Sequence, residues 1–260
     1  MKIENNFDKW SKVYDIFYST APKDDIFFYV DICNKFGGPI LELGAGTGRI
    51  LLPILNAGHS ITGLDISNGM LSKIKSKIKN NKNNYPKFEL IKGDMKDFKL
   101  DKRFELILIP ARTLLLETNH EKQVMVLKNA AAHLTNSGRI IFDIYYPDKE
   151  MINCDPDEEF LLGVSDAKKD GSRYILTGKN RFDTVNQLNF SSQYIEKVNA
   201  HGESLNKAML PVETRYLYFE QIIEMCKIAN LKIDYAYGNF NYDPITEVSD
   251  DMVFVCSKTK

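Results

Sequence analysis

The chain has 260 residues, 43% hydrophobic and 27% charged, the balance of a globular domain long enough to bury a sizeable core. Its 34 basic and 35 acidic residues leave a formal net charge of −1. No basic surplus exists to neutralise a nucleic-acid backbone, and no apolar run is long enough to span a bilayer, so neither a nucleic acid nor a membrane is an expected partner. The four cysteines, Cys33, Cys154, Cys226 and Cys256, match no metal-ligand spacing and read as reduced thiols of a cytoplasmic protein; the polar residues 1–6 do not read as a signal peptide.

Residues 7–36 precede the first strand. Phe7, Trp10, Val13, Tyr14, Phe17 and Tyr18 recur at helical spacing, Ala21-Pro22 breaks the run, and Ile26, Phe27, Val30, Ile32 and Cys33 mark a second helix. Next comes Ile40-Leu41-Glu42-Leu43-Gly44-Ala45-Gly46-Thr47-Gly48-Arg49, a buried strand running into a glycine turn that opens a helix. Glycines there let the backbone bend tightly and approach a ligand, which the free N–H groups of the next helix would face. A dinucleotide fit fails on two residues. Arg49 stands where a small residue is needed, and Glu42 would repel a pyrophosphate. Glu42 suits an ammonium instead, so the turn fits a ligand with a nucleoside at one end and an amine at the other.

A helix over 49–56 contains Pro53, predicting a local distortion unless that residue falls in the first turn. It closes at Ala57-Gly58-His59, with His59 read as structural. The strand over 60–65 ends on Asp65, in the crevice where open α/β sheets bind ligands; a carboxylate there can accept hydrogen bonds from both ribose hydroxyls. Ser67 reads as the cap of a helix bearing Met70, Leu71, Ile74 and Ile78, and the Lys- and Asn-rich residues 73–87 read as a solvated surface. A third strand exits through Gly93-Asp94-Met95, and a fourth, over 104–109, ends at Pro110-Ala111-Arg112-Thr113. Arg112 has two readings, contact with an acidic substrate group or a surface pair with Glu117. A helix over 121–134 and a turn at Asn136-Ser137-Gly138 lead to a strand over 139–145 carrying Asp143 and Tyr145. Residues 147–212 break the strand–helix rhythm: Tyr174-Ile175-Leu176-Thr177, Leu188-Asn189-Phe190-Ser191 and Tyr194-Ile195-Glu196-Lys197-Val198 predict two to four antiparallel strands. A last helix to about 230 and strands near 231–237 and 252–256 complete the chain.

The stretch Glu42-Leu43-Gly44-Ala45-Gly46-Thr47-Gly48 resembles motif I of the class I S-adenosylmethionine-dependent methyltransferases, and Asp65 and Gly93-Asp94-Met95 follow at matching intervals. The resemblance covers residues 36–146 well and the last fifty loosely. It implies an α/β fold, a doubly wound Rossmann-like seven-stranded mixed sheet with its last strand antiparallel. It divides a single methyltransferase domain, 1–260, into a helical lid (1–36), a cofactor core (37–146), a β-insertion (147–212) and a C-terminal completion of the sheet (213–260). It also implies that S-adenosylmethionine is held by Tyr14, Glu42, Gly44, Gly46, Gly48, Arg49, Asp65, Met70, Asp94, Met95 and Pro110. In that scheme Asp65 takes the ribose, Met70 and Asp94 the adenine, and Tyr14 the methionine end.

The insertion resembles that of sugar-amine N-methyltransferases, where it roofs the site or builds a dimer interface. A small-molecule acceptor and a possible homodimer through this insertion are therefore expected, with Tyr18, Arg112, Tyr145, Arg181, Tyr194, Arg215, Phe240 and Tyr242 as candidate substrate contacts. No Asn-Pro-Pro-aromatic motif and no Pro-Cys follows the fourth strand, unlike adenine-N6 and cytosine-C5 enzymes. Leu115 and Leu116 stand where many relatives carry a histidine, and none of His59, His120, His133 and His201 lies at a strand end aimed at a methyl group. An amine nucleophile, attacking in line, is thus favoured over an unassisted alcohol, with Tyr, Asp143 or water open as base. Two other classes predict different sites: a protein or RNA methyltransferase would show a shallow basic cleft, and a non-catalytic cofactor-binding protein a closed insertion without a cavity.

Overall fold

The computed structural model describes residues 7–80, 85 and 87–259; the polar start and part of the Lys- and Asn-rich loop lie outside the described residues. Short helices α1 (Phe7–Trp10) and α2 (Tyr14–Phe17) and the longer α3 (Asp24–Phe36) precede the first strand. The core then alternates β1 (Ile40–Leu43), α4 (Leu51–Asn56), β2 (Ile61–Asp65), α5 (Asn68–Asn80), β3 (Phe88–Lys92), β4 (Phe104–Ile109), α6 (His120–His133) and β5 (Leu134–Tyr145). After α7 (Lys149–Ile152), strands β6 (Phe160–Val164), β7 (Arg173–Asp183), β8 (Leu188–Val198) and β9 (Ser204–Arg215) form a meander. Helix α8 (Phe219–Ile228) and strands β10 (Leu231–Tyr237) and β11 (Asp251–Lys258) return to the core.

The main sheet has seven strands in the order β10-β11-β5-β4-β1-β2-β3. Strands β1 to β5 pair in parallel, and β11 runs antiparallel to both β5 and β10. The apolar runs of β1 and β4 are buried on both faces, as central parallel strands require. One core packs Leu41, Leu43 and Ile107 under α6 and α8; the other packs Ile40, Leu106 and Leu108 under α3 and α4. Chain order reverses between β1 and β4, which opens a crevice at their carboxyl ends.

Two local expectations resolve differently. Pro53 is the third residue of α4, in the first turn, where its missing N–H has no intrahelical acceptor to lose. No turn separates α6 from β5: the strand begins at Leu134, and residues 135–138 bulge out between the pairs Phe104–Leu134 and Leu106–Arg139. A Cβ on Gly138 would stand 2.9 Å from the Phe104 carbonyl oxygen, so the bulge closes only around glycine.

The insertion is a four-stranded antiparallel sheet, β6-β7-β8-β9, whose last strand runs on to Arg215. Leu176, Ile195 and Leu210 on its inner face pack against Trp10 and Met70, clamping the N-terminal lid onto the core. Carboxylates of the lid complete the clasp. Asp8 accepts from Ser67 Oγ and from Gly69 N at 2.9 Å, at the start of α5. Asp15 accepts from Thr47 Oγ1 at 2.6 Å and Lys77 Nζ at 2.7 Å, and Asp25 takes Arg49 in a two-pronged ion pair.

Candidate active site

Lid, sheet edge and insertion enclose a cleft of about 1010 Å³. Its nucleotide half is built from backbone turns and strand ends. Gly44 and Gly46 have φ of +71° and +53°, and both line the cleft. A Cβ on Gly44 would lie 2.4 Å from Thr113 Cγ2, so the turn after β1 and the loop after β4 approach each other only across a glycine. Asp65 ends β2 and lines the cleft, one oxygen accepting from Gly46 N at 2.7 Å and the other from Ser67 N at 2.8 Å. Burial pushes its carboxyl up and these two N–H groups hold it down. Each oxygen keeps lone pairs for a further donor, as a ribose diol requires. Ser67 Oγ accepts from Met70 N at 3.1 Å, the N-cap read from the sequence. Met70, Asp94 and Met95 also line this half; Asp94 is shared with Lys96, 2.8 Å away, which bridges to Glu117.

Under the turn lies Glu42, 1% exposed, with Oε2 lacking a hydrogen-bond partner among the described residues. Burial pushes its carboxyl far above the ordinary carboxylate range, and Asp65 nearby pushes it further. Such an orphaned acidic oxygen costs stability until a donor or cation reaches it. Tyr14 covers Gly46 from above, its ring 4.5 Å from that of Tyr18. Asp65 and Asp94 at one end and a glycine cradle under the Tyr14 phenol suit a nucleoside that carries an amine, so the residues fit S-adenosylmethionine; Glu42, read from the sequence as suited to the ammonium, lies buried beneath the turn and does not line the cleft.

Asp143 organises the other half from below. It is 1% exposed and accepts from Tyr29 Oη at 2.6 Å and from Ala111 N and Arg112 N, each at 2.9 Å. Ala111 and Arg112 are left-handed, φ 55° and 60°, a conformation that costs L-residues about 1–2 kcal/mol each and is held here by those bonds. Burial raises the Asp143 carboxyl to about 6, against the donors that stabilise its charge. Asp143 does not face the cleft; it fixes the loop that presents Arg112 and Thr113 to it. Arg112 pairs with Asp251 at 2.8 Å, not with Glu117, and its guanidinium lies 5.6 Å from the Tyr145 ring centre. Tyr145, Tyr146, Asp148 and Asp250 complete this wall, and Asn180, Asn189, Ser191, Gln193 and Thr214 roof it from the insertion.

Residues 40–138 match the model of a methyltransferase domain. This stretch is an S-adenosylmethionine-dependent methyltransferase domain. Over 85% of its length the chain is 24% identical to a cypemycin N-terminal methyltransferase of a Streptomyces species, covering 84% of that protein. It is 22% identical to the putative methyltransferase YqeM of Bacillus subtilis over 98% of both chains. In fold it is similar to the CcbJ methyltransferase of Streptomyces caelestis, with a TM-score of 0.83 and 18% identity over the whole of both chains. The S-adenosylmethionine-bound amino pentose methyltransferase CalS10 of Micromonospora echinaspora shares the fold with a TM-score of 0.73 and 14% identity, again over both whole chains.

The enzyme uses several predicted residues elsewhere. Gly48 does not line the cleft; a Cβ there would press on Leu52 and Ile74, 3.0 and 3.2 Å away, so this glycine seats α4 against α5. Arg49 does not line the cleft; it faces a smaller hollow behind the turn and clasps Asp25. Pro110 is withdrawn, its carbonyl accepting from Thr113 Oγ1 at 2.6 Å, and its neighbours Ala111 to Thr113 face the cleft instead. Arg181 and Tyr194 lie on the outer face of the insertion. Their alternation partners Asn180 and Gln193 point inward, while Arg181 stacks on Phe190 and Tyr194 on Lys207. Arg215 is buried among Gln123, Gln187 and His120 at the root of β9, away from the cleft. Phe240 and Tyr242 fold back over α3, with ring centres 5.8 and 5.0 Å from Phe28, because the loop after β10 turns toward that helix. Only its far end, Asp250 and Asp251, reaches the methyltransferase cleft. Of the predicted substrate contacts, Tyr18, Arg112 and Tyr145 line it.

Proposed function

We propose that the enzyme methylates an amine nitrogen of a small polar molecule, by direct in-line displacement from S-adenosylmethionine. One observation carries this reading. Among the described residues lining the cleft, Asp65, Asp94, Glu117, Asp148, Asp250 and Asp251 are acidic and Arg112 alone is basic, and Arg112 is neutralised by Asp251. A walled, acidic cleft attracts a cation and focuses its field. It suits neither a polyanionic RNA nor the closed site of a non-catalytic binder. Similar proteins named as an N-terminal methyltransferase and a sugar N-methyltransferase agree with an amine acceptor.

When bound, S-adenosylmethionine supplies an activated methyl group on a sulfonium. The chain aligns the two reactants and excludes water. Tyr14 and Tyr18 close over the methionine end, and the Arg112–Thr113 loop, braced by Asp143, forms the opposite wall. Asp148 and Asp250 draw in the acceptor ammonium, and a carboxylate oxygen or water takes its proton, which frees the nitrogen lone pair for attack.

The reading is tested by offering trideuteromethyl S-adenosylmethionine with matched primary amines, alcohols and carboxylic acids. Transfer to amines is expected, with KM rising several-fold between about 50 and about 300 mM salt, as the Debye length shortens from about 14 to about 6 Å. Transfer to acids or alcohols in preference to amines would overturn it.

A further inference from the structure

The turn that leaves β3 is seated from several sides. Gly93 N donates to the Asp65 carbonyl at 3.1 Å, which ties this turn to the end of β2. The Asp94 carbonyl accepts from Asp97 N and Phe98 N at 3.2 and 3.0 Å, closing a single helical turn. Asn129 of α6 donates Nδ2 to the Met95 and Phe98 carbonyls at 3.4 and 3.2 Å, and the Phe98 side chain is buried in the core beside them. Backbone and amide groups thus fix the course of the turn.

The Asp94 side chain is fixed separately, by a cation. One of its oxygens accepts from Lys96 N at 3.0 Å and the other from Lys96 Nζ at 2.8 Å. Lys96 Nζ also donates to Glu117, in the loop after β4. Asp94 and Glu117 line the cleft and Lys96 does not; its side chain is 20% exposed. Burial works against the ammonium, but its bonds to Asp94 and Glu117 outweigh that and hold it above the ordinary lysine range. An ammonium carries three donors and no acceptor, so it pins both carboxylates as acceptors, and each Asp94 oxygen keeps capacity for one more donor.

The cleft's nucleoside can be read by that capacity. Adenine presents an amino donor at C6 and an acceptor at N1. The 6-oxo base hypoxanthine reverses both, with a carbonyl at C6 and a hydrogen on N1. A carboxylate held still as an acceptor bonds the first base and faces a second acceptor in the other, which leaves both groups unpaired. A carboxylate free to swing could turn away from the carbonyl and lose this discrimination. A lysine that served only to relieve repulsion between Asp94 and Glu117 would affect every ligand of the cleft alike.

We propose that Lys96 is a positioning residue for the cofactor's base: it holds the Asp94 carboxylate where that group accepts the adenine amino hydrogens, and thereby makes the cleft choose a 6-amino over a 6-oxo purine nucleoside. The proposal rests on the cofactor assignment above and on Asp94 as its base contact, and it is independent of the acceptor.

The test titrates the intact enzyme by calorimetry with S-adenosylhomocysteine and with S-inosylhomocysteine, which differ only in the base. The parent is expected to bind the adenosyl compound at least about thirty-fold more tightly, the rejection expected of a site whose buried acceptor is left unpaired. Lys96→Met and Lys96→Gln, made separately so that one folding failure does not decide the matter, are each expected to weaken the adenosyl compound about ten-fold and to leave the inosyl compound within about two-fold, so that the preference falls to about three-fold. Lys96→Arg keeps a cationic donor and should keep the preference within about three-fold of the parent's. Asp94→Asn, whose amide can donate to the C6 carbonyl, should lose the preference as well. Equal weakening of both compounds in the Met and Gln variants, or no change in either, would overturn the proposal. A parent without preference, or an Asp94→Asn enzyme that retains it, would overturn Asp94 as the base contact and the proposal with it. Failure of the parent to bind S-adenosylhomocysteine would instead overturn the cofactor assignment beneath both.

Discussion

The two halves of the cleft are made of different materials. The nucleotide half consists of backbone: a glycine turn after β1, the end of β2 and the first turn of α5, stitched together by Asp65 through Gly46 N and Ser67 N. The acceptor half consists of side chains from distant segments: the loop after β4, the start of β11 and all four strands of the insertion. The first is over-determined, since its turn needs positive φ and its neighbours leave no room for a Cβ. The second holds unpartnered amide oxygens and surplus carboxylates. A scaffold of the first kind fixes one cofactor, and a surface of the second kind lets acceptors be exchanged by side-chain substitution alone.

Substitutions that cross this divide break the comparison most sharply. Gly44→Val places a branched side chain against Thr113 in a left-handed turn, and calorimetry should find no measurable S-adenosylmethionine binding while circular dichroism stays helical and stranded. Asp143→Asn leaves one of two backbone N–H groups facing an amide N–H₂, and the loss of a buried, charge-assisted bond should cost about 2–3 kcal/mol in denaturant unfolding. It also has a pH signature. With a native carboxyl near 6 against an ordinary 3.8, the folded state keeps a proton that the unfolded chain has released between those values. Asp143 therefore contributes stability that declines as pH rises from about 4 to 6, and the Asn variant should lack that part of the slope. An unchanged decline in the variant would show that Asp143 is not the group responsible.

Smaller effects sharpen the picture inside the acceptor half. Arg112→Met releases Asp251 and makes the wall more negative, so KM for a cationic acceptor should fall or hold while that for an anionic analogue rises roughly three- to ten-fold, in line with about 1 kcal/mol for a partly exposed pair. Cofactor affinity should not move. At the lid, Asp25→Asn loosens the Arg49 clasp, and S-adenosylmethionine should dissociate only a few-fold faster in stopped-flow displacement, because Asp8, Asp15 and the Trp10 packing still hold the lid. A loss as large as that of Gly44→Val would mean that the lid, not the turn, carries the affinity.

The same division explains what could be read from residues alone. The strand–turn–helix unit around Gly44, the placement of Asp65 and the doubly wound sheet depend on short contiguous patterns, and the structure builds them as read. The acceptor half depends on parity and direction. Arg181 and Tyr194 are each one position from a residue that faces the cleft, and a single-residue step along a strand reverses the face. The strands of the insertion were visible, but their inward side is set by contact with Trp10 and Met70, far away in sequence. Gly48 and Arg49 fall within the motif, yet the turn before α4 sets Gly48 against Leu52 and Ile74 and Arg49 against Asp25. The polar run Asn189, Ser191 and Gln193 carried a signal that was there to use: alternating small polar residues on a strand whose neighbours are apolar at the same parity.

The most direct measurement is calorimetric titration of S-adenosylmethionine into the parent enzyme and Asp65→Ala, with thermal melts of both. Micromolar binding is expected in the parent. At least a hundred-fold loss is expected in the variant, about the 3 kcal/mol that two hydrogen bonds to a charged group supply. No binding to the parent, or equal binding to a folded Asp65→Ala, would contradict the account at its centre.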